Sequence, residues 1–160
     1  MPFSIYTVKV LAIAEILHRW IGVLNGLDRS NRERIADFAE MIAATLARAA
    51  AAIAAIEVAP DDGQARAVAL TELGRITGYV ETIVAVLEHH LDGRKIAGIK
   101  RRLESLGAAR LAHDVATEAD GGRAENRSKA GHRTGPRLSR TARLRTAEGY
   151  FRALADGLRA

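Results

Sequence analysis

The side chains best suited to chemistry form a dense run of cations towards the C-terminus. Eight of them fall between residues 123 and 145, with Glu125 as the one acid in that stretch. Such a density of positive charge can neutralise phosphates and release their counterions, which gives affinity for nucleic acid without reading its sequence. Arginine suits phosphate because its guanidinium can donate two parallel hydrogen bonds. The predicted nucleic-acid contacts are Arg123, Arg127, Lys129, Arg133, Arg137, Arg140, Arg143 and Arg145, together with Lys100, Arg101 and Arg102 upstream.

The two aromatic residues that follow this run, Tyr150 and Phe151, allow two interpretations. They could stack on bases, or they could anchor a last helix to the rest of the protein. The positive charge also admits alternatives, because it could meet an acidic protein surface or form a solvated tail. Arginine outnumbers lysine by 20 to 4, a bias that a GC-rich genome would also produce. We expect RNA or DNA backbone as the partner, with a protein–protein module (adaptor, oligomerisation unit or inhibitor) as the alternative.

Metal chemistry has one candidate pair, Glu15 and His18, which share one side of a predicted helix. Di-metal helical bundles use the Glu-x-x-His pattern twice and add two further glutamates. Here the pattern occurs once, although Glu81 and Glu88 could offer carboxylates from another helix. The pair is therefore interpreted as part of a polar stripe, and no metal site is predicted.

The remaining polar clusters do not form a recognisable catalytic site. His89 and His90 are adjacent in sequence, so their side chains diverge by about 100° on a helix and do not form a two-ligand clamp. Histidine near a helix C-terminus is also favoured electrostatically. Ser105 and His113 lack the strand-turn-helix setting of a serine nucleophile. The chain has neither a phosphate-binding loop nor a dinucleotide fingerprint, so we expect no enzyme and no cofactor.

The composition of the chain indicates what kind of structure positions these residues. A chain of 160 residues is typical of one domain with a real core. It contains no cysteine, which excludes disulfides, thiolate metal sites and cysteine catalysis. Residues 1–120 hold 14 cations and 16 acids, whereas residues 121–160 hold 10 cations and 3 acids. This division indicates a nearly neutral folded body and a basic arm.

A seven-residue apolar repeat is the clearest structural signal in the body. It places Leu73, Ile76, Val80, Ile83 and Leu87 at alternating steps of three and four residues, the pattern of one helix lying along another. Ile96, Ile99, Leu103 and Leu106 repeat it after Asp92 and Gly93.

Turn and capping residues predict the helix boundaries. Ser4 is expected to cap a first helix that ends at Asn25, and Ser30 with Glu33 has the form of a capping box for a second helix that ends near Val58. Asp61 or Asp62 can cap a third helix, and Ser139 a last one. The remaining predicted helices cover residues 64–91, 94–106, 108–119 and 139–159.

These predictions combine into an all-α protein. We expect an up-and-down antiparallel bundle of about four main helices in residues 1–120, a basic Gly/Arg-rich linker in residues 121–138, and a short C-terminal helix in residues 139–160. The arm could return to the bundle or reach a partner. The apolar faces look wide enough for homo-oligomerisation. No signal peptide or uncharged membrane span is apparent, since Arg48 interrupts the longest apolar stretch, and we expect a soluble cytoplasmic protein without membrane attachment.

Overall fold

The all-α fold class is confirmed by a computed structural model of the chain. The structure describes residues 3–90, 93–107, 111 and 138–160. The predicted linker up to residue 137 and the predicted helix 108–119, except Leu111, lie outside the described residues; Leu111 is helical and buried. The helices are α1 (Ser4–Arg19), α2 (Ile21–Leu24), α3 (Arg29–Val58), α4 (Gly63–His90), α5 (Gly93–Ser105) and α6 (Arg140–Arg159).

Helix α3 is the central element, because both α4 and α6 pack along it. Its middle is rich in alanine, and Ala43, Ala49 and Ala50 are fully buried. Such small side chains let neighbouring helices approach closely but bury little apolar area per residue. The bulk comes from the partners: the predicted repeat of α4 is buried throughout, as are the large apolar residues of α6, which are Leu144, Phe151, Leu154 and Leu158.

Helix α6 is a full member of this bundle. Arg140 at its start meets Glu57 near the end of α3, and Arg159 at its end meets Asp37 near the start of α3, so the two helices are antiparallel. Helix α6 also packs on α1, in parallel, because Arg143 lies beside Thr7 and further along Tyr150 lies beside His18. Of the two possibilities left open for the arm, its helix returns to the bundle.

Helix α5 contacts both α1 and α4. Ile99 and Leu103 of α5 are buried, as the repeat predicted. Trp20, which follows α1, lies against Gly98, where an added Cβ would come within 3.1 Å of the Trp20 ring. A larger residue at position 98 would therefore crowd the Trp20 ring. The helix predicted to end at Asn25 is interrupted at Trp20, so that α1 ends at Arg19 and α2 covers Ile21–Leu24. Tyr6 links α1 to α4 elsewhere, by donating a hydrogen bond of 2.6 Å to the carbonyl of Leu73.

Two of the four predicted caps are confirmed. The Ser139 hydroxyl accepts a hydrogen bond from the backbone N–H of Ala142, and the Asp62 carboxylate accepts one from Ala65. The caps predicted at Ser4 and Ser30 are wrong. Ser4 is already helical after Phe3, whose backbone is left-handed with φ of 74°.

The capping box fails because α3 begins one residue before Ser30, at Arg29, with Asp28 as the preceding residue. The Asn31 side chain donates to the Asp28 carboxylate, and this hydrogen bond lowers the pKa of Asp28. Glu33, the second member of the predicted box, pairs instead with Arg29 at 3.0 Å.

Among the described helices, α3 alone is long and apolar enough to cross a membrane, with a mean hydropathy of 1.7 over its most apolar window. Length and composition do not distinguish such a helix from the core helix of a soluble protein. In this fold α3 packs against both α4 and α6.

Candidate nucleic-acid interface

The eleven predicted phosphate contacts fall into three groups. Five of them, here called the arm cations, lie outside the described residues: Arg123, Arg127, Lys129, Arg133 and Arg137. Three lie on α6 (Arg140, Arg143 and Arg145) and three on α5 (Lys100, Arg101 and Arg102). The α6 and α5 groups lie on different helices, and the described ion pairs and hydrogen bonds of their side chains involve different neighbours.

Arg140 is the first residue of α6, and it points into the protein. Its side chain is only 6% exposed, and its guanidinium pairs with the Glu57 carboxylate of α3 at 3.2 Å. Ser139 caps the same turn and so holds the start of α6 against the end of α3. In this fold the Arg140 side chain is buried and is not presented at the surface.

Arg143 and Arg145 are also engaged within the protein. Arg143 donates a hydrogen bond to the Thr7 hydroxyl of α1 at 3.2 Å, and it is half-buried. Arg145 is exposed and pairs with Glu148 of the same helix at 3.2 Å. Arg143 therefore connects helices, whereas Arg145 lies on the surface of α6.

The two remaining arginines of α6 also have partners within the protein. Arg152 pairs with Glu148 at 3.0 Å. Arg159 contacts both Asp37 at 2.6 Å and Glu40 at 2.9 Å, and the hydrogen bonds to these two carboxylates raise the pKa of Arg159. Every arginine of α6 thus has an acidic or polar partner in the same molecule, and two of them join the ends of α6 to α3.

The cations of α5 have a different environment. Lys100 lies 3.5 Å from Glu88 of α4, an exposed pair. Arg101 and Arg102, here called the α5 arginines, are exposed, and neither forms an ion pair with another residue that the structure describes. Ile99 and Leu103 flank them and are buried, so the helical spacing of about 100° per residue directs both arginines away from the core.

The aromatic pair after the basic run serves as an anchor. Phe151 is fully buried in the bundle core, so it cannot stack on a base. Tyr150 is half-buried and lies with its ring centre 5.4 Å from that of His18 on α1. Of the two interpretations of these residues, the structure supports attachment of α6 to the bundle.

The candidate metal pair, Glu15 and His18, has no third metal ligand beside it among the described residues. His18 faces Tyr150, and within the described ranges no three residues among His, Asp and Glu come together in a way that could hold a metal ion. His89 and His90 are exposed at the end of α4, with ring centres 6.4 Å apart. Asp92, Asp114 and His113 lie outside the described residues.

The acidic partners of α6 are the residues that sequence reasoning missed. Asp37, Glu40 and Glu57 on α3 receive the arginines at the two ends of α6. One signal was present in the sequence: Arg140 and Arg159 are separated by nearly as many residues as Asp37 and Glu57. That match acquires meaning only when the two helices are known to be antiparallel neighbours.

No known protein family, curated protein or solved structure matches this chain. The case for a function therefore rests on the residues and their geometry.

Proposed function

We propose that this protein is a non-enzymatic, cytoplasmic helical-bundle accessory protein that self-associates and contacts RNA or DNA backbone through the arm cations and the α5 arginines. The observation that carries the proposal is the contrast between two sets of arginines. Those of α6 are used inside the molecule, whereas the α5 arginines have no ion pair among the described residues. The arm cations add five positive charges in a stretch that holds one acid, Glu125.

The proposed contact is electrostatic and does not read sequence. If about four to six phosphates are engaged, the slope of log affinity against log salt is roughly −3 to −5. Binding without base contacts falls in the range of about 10⁻⁴–10⁻⁶ M at physiological salt. Both quantities are measurable for a labelled single strand and a labelled duplex by fluorescence anisotropy.

The test requires substitutions rather than a truncation, because removal of the C-terminal residues would also remove the buried residues of α6. The first variant replaces all five arm cations with glutamine. The second is Arg101→Gln with Arg102→Gln. The matched control is Arg29→Gln with Arg34→Gln, which removes two exposed arginines from the start of α3. Circular dichroism establishes that each variant retains its helix content.

We expect the arm variant to lose most of the affinity and the α5 variant to flatten the salt slope by about 1 to 2. The control variant should bind like the unmodified protein. Equal, weak binding by all four proteins would overturn the proposal. Equal losses in the control and α5 variants would show that net charge alone matters and would overturn the assignment of the site.

Self-association, the second part of the proposal, is supported by exposed apolar side chains at one end of the bundle. Helices α1 and α6 run opposite to α3, and so does α4, as the contact of Arg48 with Glu72 and of Phe38 with Tyr79 requires. The start of α1, the end of α3 and the start of α6 therefore lie at the same end, together with the first turns of α4. Five of the exposed large apolar residues belong to these segments: Ile5, Val8, Val58, Val68 and Leu138.

Exposed apolar residues concentrated in one region are typical of a protein–protein contact. Val58 is 88% exposed, and Val8 is half exposed. We expect Val8→Ser with Val58→Ser to lower the mass measured by sedimentation at a concentration where the unmodified protein self-associates. A monomeric unmodified protein at high concentration would contradict this part of the proposal. If nucleic-acid binding also fails, the protein–protein module becomes the better description.

A further inference from the structure

A groove of about 200 Å³ lies between α4 and α5, and Lys100 is the one predicted phosphate contact that lines it. Val80 and Leu103 line it and are almost completely buried, so they form its floor. Val84 and Ala85 line it as well and are more accessible. The groove therefore offers an apolar surface that a partner's side chains can reach from solvent.

The rim of the groove is acidic. Glu81, Glu88 and Glu104 line it, against the single cation Lys100. Lys100 lies 3.5 Å from Glu88 and so compensates that carboxylate. Glu81 and Glu104 are exposed and form no ion pair with any residue in the described part of the chain. Two negative charges that have no ion pair within the described residues thus flank an apolar floor.

The α5 arginines do not belong to this groove. Lys100, Leu103 and Glu104 are spaced three and four residues apart and share one side of α5, whereas Arg101 and Arg102 project from the other sides. The groove is thus chemically opposite to the proposed phosphate surface. A nucleic acid would be repelled here, because its phosphates would face carboxylates.

We propose that this groove binds the apolar side chains of a basic amphipathic helix from a partner protein. An amphipathic helix places residues spaced by three or four on one face, and such a face lies readily along a groove between two helices. The volume is below the roughly 300–1,000 Å³ of pockets that enclose a drug-sized ligand, which favours a few side chains over a whole small molecule. Charge complementarity with Glu81 and Glu104 selects lysine or arginine at the borders of the helix's apolar face. This inference does not rest on nucleic-acid binding by the protein.

The probe is a fluorescent alanine-based peptide of about 15 residues, with leucines spaced by three and four residues and lysines bordering them. A second peptide carries glutamate at the lysine positions. Binding to the full chain is followed by anisotropy at low salt. We expect the lysine peptide to bind about tenfold more tightly than the glutamate peptide, and the difference to shrink as salt is added.

Two variants of the protein test the rim and the floor separately. Glu81→Gln with Glu104→Gln should lower the affinity for the lysine peptide by about three- to tenfold. The control variant, Glu33→Gln with Asp61→Asn, changes exposed carboxylates outside the groove and should leave this affinity unchanged. Ala85→Phe should abolish binding because it fills the groove from an exposed position. Ala67→Phe, exposed elsewhere on α4, is the control for that change.

Carbodiimide coupling identifies the occupant directly, since it joins a carboxylate to a lysine in contact with it. Coupling of Glu88 to Lys100 serves as the internal standard. The proposal expects coupling of Glu81 or Glu104 to a peptide lysine. Coupling of these glutamates to Lys129 instead, within the chain or from a second copy, would overturn the proposal, and so would equal affinity for the two peptides.

Discussion

Helices α5 and α6 are both amphipathic and rich in cations, yet they use those cations differently. All five arginines of α6 meet a partner within the molecule, and two of them join its ends to α3. The α5 arginines extend outward, with no ion pair among the described residues. At the two ends of α6 the difference is caused by the neighbouring surface, since α3 places acids beside Arg140 and Arg159. Arginine content alone therefore says little about phosphate binding until the facing surface is known.

Burial adds a second difference, this time within α6. The Arg140 side chain is 6% exposed and its partner Glu57 is 37% exposed, whereas Arg159 and Asp37 are 36% and 65% exposed. An exposed pair contributes little because water screens it. A buried charge that loses its partner is costly, because its desolvation is no longer compensated. The two ends of α6 should therefore differ in their sensitivity to mutation.

The largest effect should come from the apolar side of α6. Phe151→Ala removes a fully buried ring and should lower the free energy of unfolding by about 3–5 kcal/mol, as measured by urea denaturation. Leu138→Ala, half exposed just before the helix, is the control and should change it by less than about 0.5 kcal/mol. A small effect of Phe151→Ala would mean that α6 contributes little to the core. The contrast between a structural α6 and the outward-facing α5 arginines would then be wrong.

The buried ion pair should give the next largest effect. Glu57→Gln keeps the shape of the side chain but removes the carboxylate that pairs with the buried Arg140, and we expect a loss of about 1–3 kcal/mol by urea denaturation. Glu33→Gln breaks an exposed pair with Arg29 and serves as the reference. If the two substitutions cost the same, Arg140 is hydrated, and it returns to the set of cations available for phosphate.

The exposed end of α6 should contribute less. A double-mutant cycle of Asp37→Asn with Arg159→Gln should yield a coupling energy of about 0.2–1 kcal/mol. The coupling should decrease in 1 M salt, where the screening length falls to about 3 Å. A coupling energy larger than the loss of stability caused by Glu57→Gln would show that the exposed end of α6 contributes more to stability than the buried end.

The smallest effect on stability is expected for the α5 arginines. Arg101→Gln with Arg102→Gln should change the free energy of unfolding by less than about 0.5 kcal/mol, because no contact within the described residues is lost. The same variant should nevertheless flatten the salt slope of nucleic-acid binding. A clear loss of stability would show that these arginines are structural, as those of α6 are.

Much of the fold could be predicted from spacing alone. The repeat from Leu73 to Leu87 and the cap at Ser139 both depend on residues near one another in sequence, and the structure confirms both of them. The start of α3 was less predictable, because Asp28 and Ser30 are both suitable capping residues and differ by two positions. Only the geometry of the turn decides between them.

The candidate site was predicted less completely. The sequence could identify every cation but could not say which of them had partners. Arg140 and Arg101 are the same residue type in similarly basic surroundings, and they differ only in what faces them: Glu57 lies 83 residues away from Arg140 in the chain.

The sequence by itself determined that the chain is helical, which faces of its helices are apolar, and where positive charge is concentrated. These properties follow from local spacing, propensity and residue type. The tertiary structure alone decided that α6 packs on α3, that its terminal arginines Arg140 and Arg159 pair with acids of α3, and that the α5 arginines extend outward. The reason is physical: an ion pair depends on distance in space, and antiparallel packing brings together charges that are far apart in sequence.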